Sequence, residues 1–395
     1  MNALRPIRRA CALVLLLAMA AALCACGQPT GDRPAVPTSA AEPSPAAASS
    51  AETPQDKPSE MPEAAEESPV PDKIKPQGKV YYTYFDTVSY VYDYSGDSAE
   101  RFDDRSAEVS HILEDYHKLF DIYHEYEGLV NLCTVNRAAG GEALKTDPEL
   151  IRFLLYARDM YDTTNGEMNV MLGAVLRPWH DCREAASADP ASASIPDGEA
   201  LREAAKHTGI ELLEIDETAG TVRISDPLAS IDVGALGKGY AVERAAEYLE
   251  SIGAFGYVLN VGGNIRCIGD RPDRSGWVTA IRDPDPASDS FACRIRIRDI
   301  SCVTSGVYER YFTVKGQRYH HIIDRDTLMP AAYYDSLTVL TADSGLADAL
   351  STALFCMPYE ESRALADRLG VDVLWIFPDG EQRCTDGFED RIQSD

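Results

Sequence analysis

Three stretches of the sequence place chemically capable side chains at spacings that packing alone does not require. The first is Ile231-Asp232-Val233-Gly234-Ala235-Leu236-Gly237-Lys238-Gly239-Tyr240, which leads into a helical pattern. Three glycines in six residues let the backbone turn sharply and approach a ligand closely. Amides at a following helix N-terminus attract phosphate, and Lys238 adds a point charge. The spacing G-x-x-x-x-G-K-[ST] is absent, so this is not a P-loop. A purely structural turn explains the stretch as well as a phosphate site does. The second runs from Asp343 to Thr352, where Asp348 and Thr352 stand four apart and share one helix face. A carboxylate and a hydroxyl are hard oxygen ligands suited to Mg²⁺, although a plain helix-surface pair has the same spacing. The third joins Thr304-Ser305-Gly306 to His320-His321-Ile322-Ile323-Asp324. A histidine at a strand end can act as a general base near neutral pH; a His-His pair is also found as an incidental or weakly metal-binding feature.

These residues need elements to hold them. The Tyr-, Val- and Thr-rich run Tyr81–Tyr92 predicts a strand. Helical periodicity predicts helices over Ala107–Phe120 and Pro148–Tyr161, the second capped by Asp147. Tyr240–Ser251 reads as a helix stopped at Gly253. Short strands follow at Tyr257–Val261, Ile265–Ile268, Val278–Arg282, Arg294–Arg298, Arg318–Ile323 and Ser336–Leu340. Helices at Gly345–Phe355 and Glu360–Leu369 precede a closing strand at Val371–Phe377, and Ala185–Pro196 reads as a surface loop. Strand clusters broken by isolated helices predict an α+β fold rather than a doubly wound sheet. The expectation is a single large domain of mixed strands and helices over residues 79–395.

What precedes that domain has another composition. Arg5, Arg8 and Arg9 stand before an apolar run from Ala10 to Leu23, too short for a comfortable membrane span and shaped like an export signal. Its end, Leu23-Cys24-Ala25-Cys26, resembles a bacterial lipobox, which implies that 1–25 are a signal peptide, that Cys26 is lipidated, and that the protein sits lipid-anchored on the extracytoplasmic face of the cell membrane. Eleven of the 23 prolines fall between Gly27 and Gly78, with no aromatic residue among them. Such a segment buries too little to offset its ordering entropy, so 26–78 is expected to be a disordered tether. The net charge of −27 argues against nucleic-acid binding, which needs a basic face. None of the ten cysteines forms a C-x-x-C pair, so a structural zinc site has no support; most read as buried small hydrophobes.

The stretches also occur in the order of one family. Asp-Val-Gly-Ala-Leu-Gly-Lys-Gly-Tyr-Ala at 232–241, Asn260-Val261-Gly262-Gly263-Asn264, Thr304-Ser305-Gly306-Val307-Tyr308, His321-Ile322-Ile323-Asp324 and Asp348-Ala349-Leu350-Ser351-Thr352 resemble the ApbE family, the FAD:protein FMN transferases. Phe85-Asp86-Thr87 and Thr164-Asn165-Gly166-Glu167-Met168-Asn169-Val170 resemble its N-terminal flavin-contact segments. The resemblance implies Mg²⁺-dependent transfer of FMN from FAD to a threonine of an exported acceptor protein, with AMP released. It further implies that Asp348, Thr352 and the carbonyl of Ala235 ligate the metal. Phe85, Tyr123, Gly166, Glu167, Met168, Asp232, Lys238 and Ile322 would line the FAD site, and His321 would be the base.

One loop departs from the family pattern. Where the family continues its His-Ile-Ile-Asp as Pro-x-Thr-Gly-x-Pro, this chain has Asp324-Arg325-Asp326-Thr327-Leu328-Met329-Pro330. Loss of the glycine bears on geometry, because glycine there can adopt a positive φ. Two other functions stay open: a Mg²⁺-dependent FAD pyrophosphatase, which uses the same metal with water as nucleophile, and a non-catalytic FAD-binding lipoprotein, which would keep the FAD-lining residues but would not need His321 together with both metal ligands.

Overall fold

The computed structural model describes residues 75–285 and 287–394. The signal segment, Cys26 and nearly all of the tether lie outside these residues. The chain enters through hairpin β1 (Gln77–Tyr81) and β2 (Ser89–Asp93), followed by helix α1 (Ala99–Phe120). Next come α2 (Leu132–Arg137), β3 (Leu144–Lys145), α3 (Pro148–Thr163), α4 (Gly173–Ala188), α5 (Gly198–Ala204) and the hairpin of β4 (Leu213–Asp216) and β5 (Thr221–Ile224). Helix α6 (Gly237–Ser251) leads back to β6 (Tyr257–Val261) and β7 (Asn264–Ile268). Hairpin β8 (Trp277–Arg282)–β9 (Phe291–Ile297) precedes β10 (Ser301–Gly306), and hairpin β11 (Tyr311–Val314)–β12 (Gln317–His320) precedes β13 (Ser336–Thr341). Helices α7 (Ser344–Ala353) and α8 (Tyr359–Leu369) lead to β14 (Asp372–Ile376), β15 (Gln382–Cys384) and α9 (Asp386–Glu389).

Eight strands form one sheet in the order β1-β2-β6-β7-β10-β13-β14-β15, each antiparallel to its neighbours. The order follows the sequence, with the other elements inserted between sheet strands. Period-2 alternation splits the core between two faces. Val303, Leu337, Val339, Val373 and Trp375 pack with Ala347 and Leu350 of α7. Cys302, Leu340, Leu374 and Ile376 pack instead with Trp277, Ile295 and Ile297 of the β8–β9 hairpin. Burial on both faces explains why the last strands read as apolar runs rather than alternating ones. The α+β class is therefore observed. The cysteines at 133, 182, 267, 293, 302, 356 and 384 are free thiols, four of them buried.

Several local expectations are corrected. Tyr81–Tyr92 is not one strand: Phe85 and Asp86 take left-handed φ values of 52° and 53°, and the chain reverses there between β1 and β2. Helix α1 starts at Ala99, eight residues before the expected Ala107, because the Ser98 hydroxyl caps it by accepting the Arg101 N–H at 3.2 Å. The expected loop from Ala185 is helical through Ala188. Pro178 lies inside α4 and conceals the helix from a breaker-based reading. The strand expected over Arg318–Ile323 ends at His320.

Candidate active site

Helix α6 begins without a side-chain cap from its own N-cap residue, Leu236. The acceptor comes from another helix: Asp348 of α7 takes the Gly239 N–H on Oδ2 at 2.7 Å. Lys238 Nζ stands 3.5 Å from Oδ1 of the same carboxylate. Asp348 is only 3% exposed. Burial pushes its carboxyl above the usual range, while Lys238 and the Gly239 amide pull it back. A side chain at 239 would collide with the Ser344 carbonyl and with Cβ of Asp348, so glycine permits the helix contact. This alters the phosphate expectation for the turn: the Gly237 amide bonds the Val233 carbonyl and the Gly239 amide is held by Asp348.

The donor set at this contact fits a hard cation. Thr352 lies one turn after Asp348 and is half-buried, as is Ala235 just before α6. Among the described residues no cluster of three His, Cys, Asp or Glu could hold a metal. One carboxylate with neutral hydroxyl and carbonyl oxygens therefore suits Mg²⁺, which keeps few protein ligands, and not a zinc-type site. Ser305 Oγ bonds Ser351 Oγ at 2.9 Å, which ties β10 to α7 beside Thr352.

The two histidines at the end of the β11–β12 hairpin have separate tasks. His320 is buried, with Nε2 at 2.9 Å from the Ala331 carbonyl and Nδ1 accepting the Ile322 N–H at 3.3 Å. Both nitrogens are committed to the backbone. His321 Nδ1 faces the Arg310 carbonyl at 3.2 Å. A carbonyl only accepts, so Nδ1 carries the proton and Nε2 of the neutral ring presents its lone pair. Burial, then Arg310 and His320, push the His321 pKa down to about 3. Ile322 is buried in the core cluster that includes Ala347 and Leu350 of α7.

The expected flavin-contact residues converge through backbone links. Arg310 donates from Nη2 to the Phe85 carbonyl at 3.5 Å, and the Phe85 N–H reaches Nδ1 of His117 at 3.3 Å. The Asp232 N–H bonds the Val170 carbonyl at 2.8 Å, which joins the 164–170 segment to the glycine-rich turn. Met168 is buried, and its N–H donates to Thr164 Oγ1 at 2.9 Å. Gly166 has φ +86°, and a Cβ there would strike Arg325 and Tyr161. Glu167 Oε1 pairs with Arg325 Nη2 at 2.9 Å; burial raises its pKa and Arg325 opposes the rise. Tyr123 Oη lies 3.1 Å from His180 Nδ1, which in turn is 3.8 Å from Asp232 Oδ2.

His180, Arg310 and Arg325 thus join the site, and Arg183 lines a cleft with His180 and His321, although no sequence motif singles them out. His180 and Arg183 sit on α4, the helix hidden by Pro178, where their i,i+3 spacing would have placed them on one face. Arg325 belongs to the departing loop. There, Asp324 Oδ1 accepts the Asp326 and Thr327 amides at 2.8 and 2.9 Å, and Leu328 adopts φ +59° at the position where the family has glycine. The backbone shape associated with glycine is kept without the glycine.

Comparison with known proteins places the chain in a family. The ApbE family profile matches residues 84–375. A FAD:protein FMN transferase of Treponema pallidum is 32% identical over 312 residues, covering 73% of this chain and 83% of that protein. One from Rhodobacter capsulatus is 33% identical over 261 residues, 65% of this chain, though the match spans only 48% of the longer relative. The crystal structure of the ApbE protein from Thermotoga maritima superposes with a TM-score of 0.71 at 25% identity, over 81% of this chain and 100% of that one. The chain belongs to the ApbE family.

Proposed function

We propose that the protein transfers FMN from FAD to a threonine hydroxyl of an exported acceptor protein and releases AMP. The observation that carries this reading is the His321 geometry. With Nδ1–H donated to the Arg310 carbonyl, Nε2 is the free acceptor a general base requires, and the depressed pKa keeps it unprotonated. In the proposed step the acceptor oxygen attacks the FMN-side phosphorus. A new P–O bond forms as the phosphoanhydride P–O bond breaks, AMP departs with that electron pair, and the hydroxyl proton passes to Nε2. Such transfers need positioning and charge neutralisation more than covalent help.

Asp348, Thr352 and the Ala235 carbonyl would hold Mg²⁺, which when bound supplies neutralisation of pyrophosphate charge. Asp348 also fixes the start of α6 through Gly239, so the helix end and the metal ligand share one carboxylate. Phe85, Tyr123, Gly166, Glu167, Met168, Asp232, Lys238 and Ile322 would line the FAD site. We further infer that Cys26 carries a lipid that anchors the domain to the outer face of the cell membrane.

The test is to incubate the purified domain with FAD, Mg²⁺ and candidate exported acceptors and to weigh the products. An acceptor heavier by one FMN on threonine, with AMP in equal amount, is expected. FMN and AMP without a modified acceptor would identify a pyrophosphatase, and intact FAD a binding protein. For the anchor, Cys26→Ala should move the protein out of the membrane fraction; a variant that stays there would disprove lipidation as the means of attachment.

A further inference from the structure

In a chain with net charge −27, two arginines are placed beside His321. Arg183 stands on α4 and Arg310 on the turn between β10 and β11. Arg183 lines a narrow cleft together with Trp179, His180, Tyr319 and His321. Arg310 is next to the same histidine, since its carbonyl accepts from His321 Nδ1 while its guanidinium donates to the Phe85 carbonyl. The two guanidinium groups repel: burial and then Arg310 lower the Arg183 pKa from its ordinary value. Among the described residues neither is in an ion pair. The nearby carboxylates do not neutralise them, for Glu184 and Asp232 act on Arg183 only from beyond ion-pair distance, and Asp232 faces the Gly234 N–H and His180. Arg310 donates one hydrogen bond, to the Phe85 carbonyl, and Arg183 donates none within the described residues.

Holding two unpaired guanidiniums together costs free energy that an anion would recover, and planar forks suit phosphate oxygens. We propose that Arg183 and Arg310 form a clamp for a phosphate group of the flavin substrate, next to Nε2 of His321. This rests on the reading of FAD as the substrate and adds a phosphate-binding element separate from Asp348 and Lys238. The clamp joins the α4 insertion to the β10–β11 turn and places anionic charge where the proton acceptor waits. The phosphate could belong to the FMN half or to the AMP half, and the chemistry of recognition is the same for both.

The experiment titrates wild type, Arg183→Gln, Arg183→Lys and Arg310→Gln with FAD, FMN, AMP and riboflavin, the flavins followed by fluorescence and AMP by calorimetry. Charge-assisted hydrogen bonds of this kind are worth about 10- to 100-fold in affinity. The two glutamine variants should lose that factor for FAD and for FMN or AMP, and keep riboflavin binding, which reports an intact pocket. Arg183→Lys should recover part of the loss. Weakening for FMN assigns the clamp to the flavin-side phosphate, and weakening for AMP assigns it to the other. Unchanged FAD affinity in Arg183→Gln, or an equal loss for riboflavin, overturns the clamp. Failure of the wild type to bind FAD at all would instead overturn the functional reading.

Discussion

The contact between α6 and α7 and the cleft beside His321 solve opposite problems. At the first, a single carboxylate is buried between two helices and satisfied from within by a backbone amide and Lys238. At the second, Arg183 on an inserted helix and Arg310 on the turn between β10 and β11 have no ion-pair partner among the described residues. The first is satisfied within the protein itself, and its geometry follows from packing. The second is completed by a ligand, so its charges stand unbalanced until one arrives. Buried charge is tolerated when hydrogen-bonded and paired, which is why the helix contact can be dry and rigid. Unpaired guanidiniums stay near solvent, as the exposure of Arg310 illustrates.

The sharpest way to break the difference is Asp348→Asn. The change is isosteric and keeps an oxygen for the Gly239 amide, but removes the charge that a hard cation needs. Transfer should fall by about 10³-fold or more, since metal neutralisation supplies several kcal/mol, and should partly return at high Mg²⁺. Thermal stability should change little. Full activity at limiting Mg²⁺ would reduce Asp348 to a helix cap.

His321→Ala tests the other side with a slightly smaller effect. A positioned base contributes about 10²–10⁴-fold, so transfer should drop by that order while FAD affinity holds. The pH dependence separates this histidine from an ordinary one. Its folded pKa of about 3 lies below the ordinary 6.5, so the base form prevails throughout the neutral range. In kcat/KM for FAD, His321 should therefore produce no acid limb between about pH 8 and pH 5. The same depression makes the unfolded chain bind more protons than the folded one between those two pKa values. Its contribution to stability is thus present above pH 6.5 and is lost as pH falls toward 3. A limb near pH 6.5 that disappears in His321→Ala would show that the ring is solvated rather than buried among cations.

The two regions also differ in how far the sequence announces them. Asp348, Thr352, Lys238 and the glycines belong to contiguous motifs whose i,i+4 and Gly-rich spacings are local facts, so the outline of the helix contact is legible in the sequence. Even there the partner of the Gly239 amide stays hidden, because a carboxylate 109 positions away takes it. His180 and Arg183 are masked for a local reason, Pro178, which argues against a helix that tertiary packing nevertheless forms. The Arg310 carbonyl is what orients His321, and no side-chain pattern encodes a carbonyl. The hairpin reversal at Phe85 and Asp86 escapes a composition-based reading, because aromatic and β-branched residues predict strand without marking where it turns.

Arg325→Ala sharpens the comparison at the departing loop. Arg325 partners Glu167, and losing it leaves a partly buried carboxylate alone. The Glu167 pKa should move further up, because burial raises it and Arg325 is the first opposing influence. If Glu167 lines the flavin site, FAD affinity should weaken by about 2- to 5-fold, in keeping with a partly exposed ion pair, with kcat nearly constant. A loss in kcat alone would place the loop with the chemistry rather than with binding.

The smallest effect concerns Leu328, whose φ of +59° sets backbone strain against packing. Its side chain is buried in a cluster with Trp179, Phe312 and Ile323, and its carbonyl accepts the Trp179 indole N–H at 3.1 Å. Leu328→Ala should cost about 2–3 kcal/mol from lost burial and the resulting cavity, while Cβ stays in the unfavourable conformation. Leu328→Gly loses the same contacts but relieves the left-handed penalty, about 1–2 kcal/mol for a residue with Cβ. Against that, glycine loosens the unfolded chain by about 0.4–1 kcal/mol relative to alanine. The balance favours glycine by roughly 0.5–1 kcal/mol, the reverse of the usual order for these two residues. Urea midpoints of the two variants decide it. A less stable glycine variant would mean that Leu328 is held by its side chain alone and that the loop relaxes its φ once those contacts are gone.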